Sequence, residues 1–77
     1  MNQQQSEDFI NGGEPIFESF TDTNWCVENH TYCDVLTPQG SSITISEGED
    51  FYYIHQLNKR YKNINSCRNI IKKKFFN

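Results

Sequence analysis

Three cysteines and two histidines are the residues whose chemistry stands out first. Cys26, His30 and Cys33 run as Cys-x3-His-x2-Cys, and His55 and Cys67 stand alone far downstream. A tetrahedral zinc site takes four ligands, usually delivered in pairs two to four residues apart. No Cys-x2-Cys is present and no second ligand pair follows, so the expectation is no metal and no other cofactor. A cross-strand disulfide between Cys26 and Cys33 is geometrically open if the two oppose each other in a hairpin. A reducing compartment argues against it, and an odd cysteine count fits no simple disulfide framework. Ordinary thiols are the expected state.

Catalytic constellations are missing at the level of sequence. There is no Gly-x-Ser-x-Gly, no phosphate loop and no His-Glu-x-x-His. Cys-His catalysis needs an activated thiolate and an oxyanion hole. Cys26 with His30 on a hairpin tip offers no visible partner for either role. The expectation is a non-enzymatic chain.

Charge is the strongest signal. All ten acids lie in residues 1–50 and all seven bases in 51–77, so a net charge of −3 conceals two halves of opposite sign. The acids Glu28, Asp34, Glu47, Glu49 and Asp50, with Trp25 and Tyr32 beside them, form a candidate partner-binding set for a basic protein surface. Tyr52, Lys59, Lys62, Lys72, Lys73 and Lys74 form an alternative set, because aromatic and basic groups together contact phosphates and stack on bases. Fifty residues without one base would repel phosphate, so nucleic acid takes second place as a partner.

Something must position these residues, and 77 residues allow one small domain. No window reaches the length of apolar sequence a membrane helix needs. The N-terminus lacks the basic and apolar regions of a signal peptide, which gives a cytoplasmic location as the expectation. Residues 1–13 read as a flexible lead, in which Ser6 caps a single turn through Ile10. Residues 14–77 read as a single small α+β domain. Strands are expected near 15–20, 23–28, 31–37 and 42–46, as an antiparallel meander of three or four strands.

A two-residue turn at Asn29-His30 and a four-residue loop over Pro38–Ser41 would place Trp25, Val27, Tyr32, Leu36, Ile43 and Ile45 on one buried face. That register leaves Asp34 inward and in need of a partner, while Cys26 and Cys33 face outward. Ser46-Glu47-Gly48-Glu49 resembles a capping box, followed by apolar residues at 54, 57, 61 and 64. A helix over this stretch is expected to cover the sheet. Tyr52, His55, Lys59 and Lys62 would line its outer side. Ser66 is expected to cap a second short helix through about Phe75.

The functional expectation is a small protein-binding domain. The chain has no Ala and is rich in Asn, Ile, Phe, Lys and Tyr, all with A/T-rich codons. That leans the reading toward a phage-type inhibitor, in the host cytoplasm, that occludes a basic site on a host or defence enzyme acting on nucleic acid. The alternative is a small nucleic-acid-binding factor. Phe75-Phe76 at an apolar tail suggests a homodimer.

Overall fold

The computed structural model describes residues 1–20 and 30–76. The elements run α1 (Gln3–Ile10), β1 (Glu18–Phe20), β2 (His30–Leu36), β3 (Ser42–Glu47), β4 (Tyr52–Ile54), β5 (Lys59–Tyr61) and α2 (Ile64–Phe75). The strands form one antiparallel sheet in the order β1-β2-β3-β4-β5. The class is α+β, with the C-terminal helix on one face, as the residue pattern indicates. The expected strand at 23–28, with Trp25, Cys26 and Glu28, lies outside the described residues, as does Asn29; His30, expected in a two-residue turn, is instead the first residue of β2 and pairs with Phe20.

The lead segment expected to be flexible contains α1. Asn2 accepts the Gln5 N–H at 2.8 Å, and the Gln5 side chain accepts the Asn2 N–H at 2.9 Å. This is a capping box made from Asn and Gln. Ser6 is therefore not the cap. It sits buried in the helix with Phe9 and Ile10, three and four residues on. Its hydroxyl oxygen accepts the Leu36 N–H at 2.8 Å, and the Met1 amino group donates to the Asp34 carbonyl at 2.8 Å. These contacts satisfy the stretch of β2 that extends past its pairing with β1.

Register is where sequence and structure part. β2 and β3 pair Cys33 with Ile45, Asp34 with Thr44 and Val35 with Ile43, one residue away from the expected pairing. The cause is the loop. Thr37 N–H donates to the Ser41 carbonyl at 2.8 Å, and Gly40 N–H returns to the Thr37 carbonyl at 2.9 Å. The Thr37 hydroxyl accepts the Ser41 N–H at 3.1 Å. Three residues, Pro38-Gln39-Gly40, make the turn, with Gly40 at φ +90° where a side chain would strain the backbone. A slip of one residue inverts a strand. Cys33 and Val35 therefore face the core with Ile43 and Ile45, while Tyr32, Asp34 and Leu36 face away from it.

The helix expected after Ser46 is absent. Ser46 and Glu47 end β3. A turn over Glu49-Asp50, closed by Gly48 N–H to the Phe51 carbonyl at 2.8 Å, leads into β4. A Cβ on Gly48 would lie 2.6 Å from the Phe51 ring, which would have to move to admit it. Tyr52-Tyr53-Ile54 has the aromatic and branched composition of a strand, and Asn58 takes φ 52°, a left-handed position Asn tolerates. The apolar residues at 54, 57, 61 and 64 thus share a helical spacing without a helix. The covering helix is α2, capped by Asn63 rather than Ser66. The Asn63 carboxamide oxygen accepts the Ser66 N–H at 2.9 Å.

α1 and α2 pack on the same side of the sheet, α1 against β2 and α2 against β4 and β5. The core between the layers is Phe9, Ile10, Cys33, Val35, Ile43, Ile45, Ile54, Cys67 and Ile71.

Candidate functional site

Strand alternation gives each residue pair across the sheet one shared face. With Cys33, Val35, Ile43, Ile45 and Ile54 inward, the opposite face presents one register row, Glu18–Tyr32–Ser46–Tyr53–Arg60, running across all five strands. Asp34 and Thr44 pair in the next row. Among the described residues, neither helix covers this face.

The side chains on the bare face hold one another in place. The Tyr32 hydroxyl donates to Glu18 at 3.1 Å, and the Thr44 hydroxyl donates to Asp34 at 2.8 Å. Ser46 Oγ and His55 Nε2 meet at 2.5 Å. The Tyr53 ring stands edge-on to His55 at 4.8 Å, and its hydroxyl donates to Asn58. The Arg60 guanidinium lies 5.0 Å over Phe51 at the β5 end. The Glu18 carboxylate, through its hydrogen bond and its charge, raises the Tyr32 phenol above its ordinary value. The face is therefore aromatic and hydroxyl-rich, acidic toward β1 and β2, and basic toward β5. Ser46 with His55 is a serine–histidine contact open to water. Among the described residues no third side chain hydrogen-bonds to the imidazole, which packs against the Tyr53 ring.

The expected site residues scatter. Tyr32 and Asp34 fall on the bare face. Asp34 is not inward: it is half-buried beside Thr44. Glu47 sits on the other side at the sheet end, where its carboxylate accepts the Thr31 hydroxyl at 3.0 Å. Glu49 and Asp50 line a shallow cavity of about 390 Å³ with Phe51, Tyr52 and Lys62. Lys62 of the alternative set therefore stands among acids of the first set. Tyr52 is half-buried on the helix side, 6.0 Å from Phe17. Lys59 lies exposed on the edge strand, and Lys72, Lys73 and Lys74 lie exposed in the last turn of α2, where cations complement the helix dipole. The expected helical stripe of Tyr52, His55, Lys59 and Lys62 does not exist.

Sequence reading missed Ser46, Tyr53 and Arg60 as members of one row. The available signal was alternation in Tyr52-Tyr53-Ile54, which sends the two tyrosines to opposite faces.

Cys33 and Cys67 are both buried in the core, so Cys33 does not face outward. Burial pushes each thiol up to about 11. Both should resist alkylation at pH 8 in the native protein and react once it is denatured, because the thiolate is the nucleophile. The raised values also set a pH limit. The neutral buried thiols contribute stability below pH 9, and the contribution is lost between about 9 and 11 as the unfolded chain's thiols ionise first. Chemical melts at pH 8 and pH 10 should differ in that direction, and less so in Cys67→Val. No group of metal-binding side chains occurs among the described residues.

The C-terminal Phe75 and Phe76, on which a homodimer was expected, are half-buried and pack against the core. No helix among the described residues is long and apolar enough to cross a membrane. Compared with protein-family models, with curated proteins and with solved structures, the chain matches none.

Proposed function

We propose that this chain is a small non-enzymatic protein-binding domain whose partner docks on the bare face of the sheet. One observation carries this: a five-stranded sheet covered, among the described residues, by helices on one side presents Tyr32, Ser46 and Tyr53 in one row, with Asp34 and Thr44 beside them. Tyrosines held by hydrogen bonds provide large, rigid contact area at low entropic cost, as interface centres do. The acids Glu18 and Asp34 flank Tyr32, which favours a partner with a basic surface and suppresses like-charged competitors. A basic groove on an enzyme acting on nucleic acid is the partner class this fits, and a composition rich in residues with A/T-rich codons is compatible with a phage-type inhibitor.

A second reading rests on the basic end of the sheet together with the basic last turn of α2. Tyr53, His55 and Arg60 toward β5 could stack on unpaired bases. The comparison of two double variants separates the readings. Tyr32→Ala with Asp34→Lys should weaken capture of the natural partner by roughly tenfold or more, and Lys72→Glu with Lys74→Glu should leave it within about twofold. If the lysine reversals are the damaging pair and the wild type binds single-stranded nucleic acid at low salt, the nucleic-acid reading holds instead.

A further inference from the structure

The spacing of the bare-face row follows from the sheet. Tyr32 pairs with Ser46, and Ser46 with Tyr53, so the two tyrosines stand two strands apart. At the usual strand separation that is about 9.6 Å. Ser46 between them is small, so the rings flank a low floor. Both rings are half-buried and held in place. The Tyr32 hydroxyl donates to Glu18, the Tyr53 hydroxyl donates to Asn58, and the Tyr53 ring stands edge-on to His55. The carboxylates beside Tyr32 take their bonds from neutral hydroxyls, Glu18 from Tyr32 and Asp34 from Thr44. Arg60 stands exposed at the opposite end of the row.

These features restrict what docks there. The paired stretches of β2, β3 and β4 use their backbone groups on one another, so a strand laid on this face finds no ladder to join. Thr44, Ser46 and His55 make the centre polar, which does not suit the wide apolar stripe of an amphipathic helix. A polyproline II helix meets both limits. It is preformed, it needs no backbone partner, and it repeats every three residues, over about 9.3 Å. That repeat matches the separation of Tyr32 and Tyr53, and aromatic side chains are what proline-rich segments dock on.

We propose that the bare face receives a proline-rich segment bordering the partner's basic surface. Prolines three residues apart seat on Tyr32 and Tyr53. A lysine or arginine roughly one or two residues beyond the Tyr32 position meets Glu18 and Asp34. Arg60 repels a second base at the far end, so the charged flank fixes the direction in which the segment lies. This inference rests on the bare face being the docking surface, and it names what makes the contact there.

Nuclear magnetic resonance titration of the isotope-labelled full chain with blocked synthetic peptides tests it. The probe is Arg-Ala-Pro-Pro-Ala-Pro, with two prolines three residues apart. One control, Arg-Ala-Pro-Pro-Pro-Ala, has the same composition without that spacing, and a second replaces the arginine of the probe by glutamate. The probe should shift the amides of Tyr32, Ser46 and Tyr53 and bind roughly tenfold more tightly than either control. Tyr53→Ala should weaken the probe by a similar factor while keeping the wild-type circular dichroism. Should that variant misfold, Glu18→Gln replaces it: the preference for arginine over glutamate should shrink, and the preference for the three-residue spacing should stay. No binding, equal binding of probe and controls, or shifts confined to the helices and β5 overturns the proposal. Amide exchange with the captured partner reads the bare face whatever docks there, so the docking surface and its occupant can fail separately.

Discussion

Val35→Asp should abolish the cooperative thermal transition, while Leu36→Asp should keep it and lower the midpoint by only several degrees. Val35 is fully buried between Cys33 and the two helices, paired with Ile43. An aspartate there has no basic side chain within the core to meet it, and its burial costs several kcal/mol or forces protonation. A domain of this size holds on the order of 5 kcal/mol in total, so the native state is lost. Leu36 is half-buried on the opposite face, and a charge there stays near water. Its cost is about 1 kcal/mol, or roughly 4–8 °C. The register expected from a four-residue loop reverses this order. The two melts therefore decide between registers that differ by one residue.

Arg68→Ala lowers stability by about 2–4 kcal/mol, because Arg68 ties α2 to the end of α1. Its Nε donates to the Phe9 carbonyl at 2.6 Å and its Nη2 to the Gly13 carbonyl at 2.8 Å. Another Nη donates to the Asn65 side chain, and the guanidinium stands 4.9 Å over the Phe9 ring. The Phe9 carbonyl also accepts the Gly12 N–H at 3.1 Å, so Arg68 adds a second, charged donor there. A planar fork that bonds two carbonyls while stacking on a ring is a role for arginine, so Arg68→Lys should recover less than half of the loss. The midpoint should fall by roughly 10–25 °C in Arg68→Ala. A shift within a degree or two would mean that the two helices are held by apolar packing alone.

Much of the fold was legible because it rests on local rules. Short branched and aromatic runs marked β2 and β3, Pro38 and Gly40 marked their turn, and a helix through about Phe75 was expected from Ser66, although its cap proved to be Asn63. The failures share one origin, the balance of two local signals. Pro38-Gln39-Gly40 closes a hairpin by itself, and the extra residue assigned to that loop inverted β2, moved Asp34 inward and Cys33 outward. Ser46-Glu47-Gly48-Glu49 carries the letters of a capping box, but Gly48 serves the Phe51 contact and Asn58 supplies the left-handed corner of a hairpin. α1 was hidden because its cap uses Asn2 and Gln5 instead of Ser and Glu. The candidate site was hidden for a different reason. Its row of Glu18, Tyr32, Ser46, Tyr53 and Arg60 is assembled by cross-strand pairing, which no single segment displays. Charge segregation was visible from the start, and its spatial meaning waited for the strand order.

The central claim is that the bare sheet face receives a protein. Amide hydrogen exchange on the domain with and without its captured partner measures this directly. Partner contact on that face should slow exchange along Tyr32–Leu36, Ser42–Glu47 and Tyr52–Ile54, with α1 and α2 unchanged. Protection confined to Lys59–Lys62 and the last turn of α2 would contradict the account.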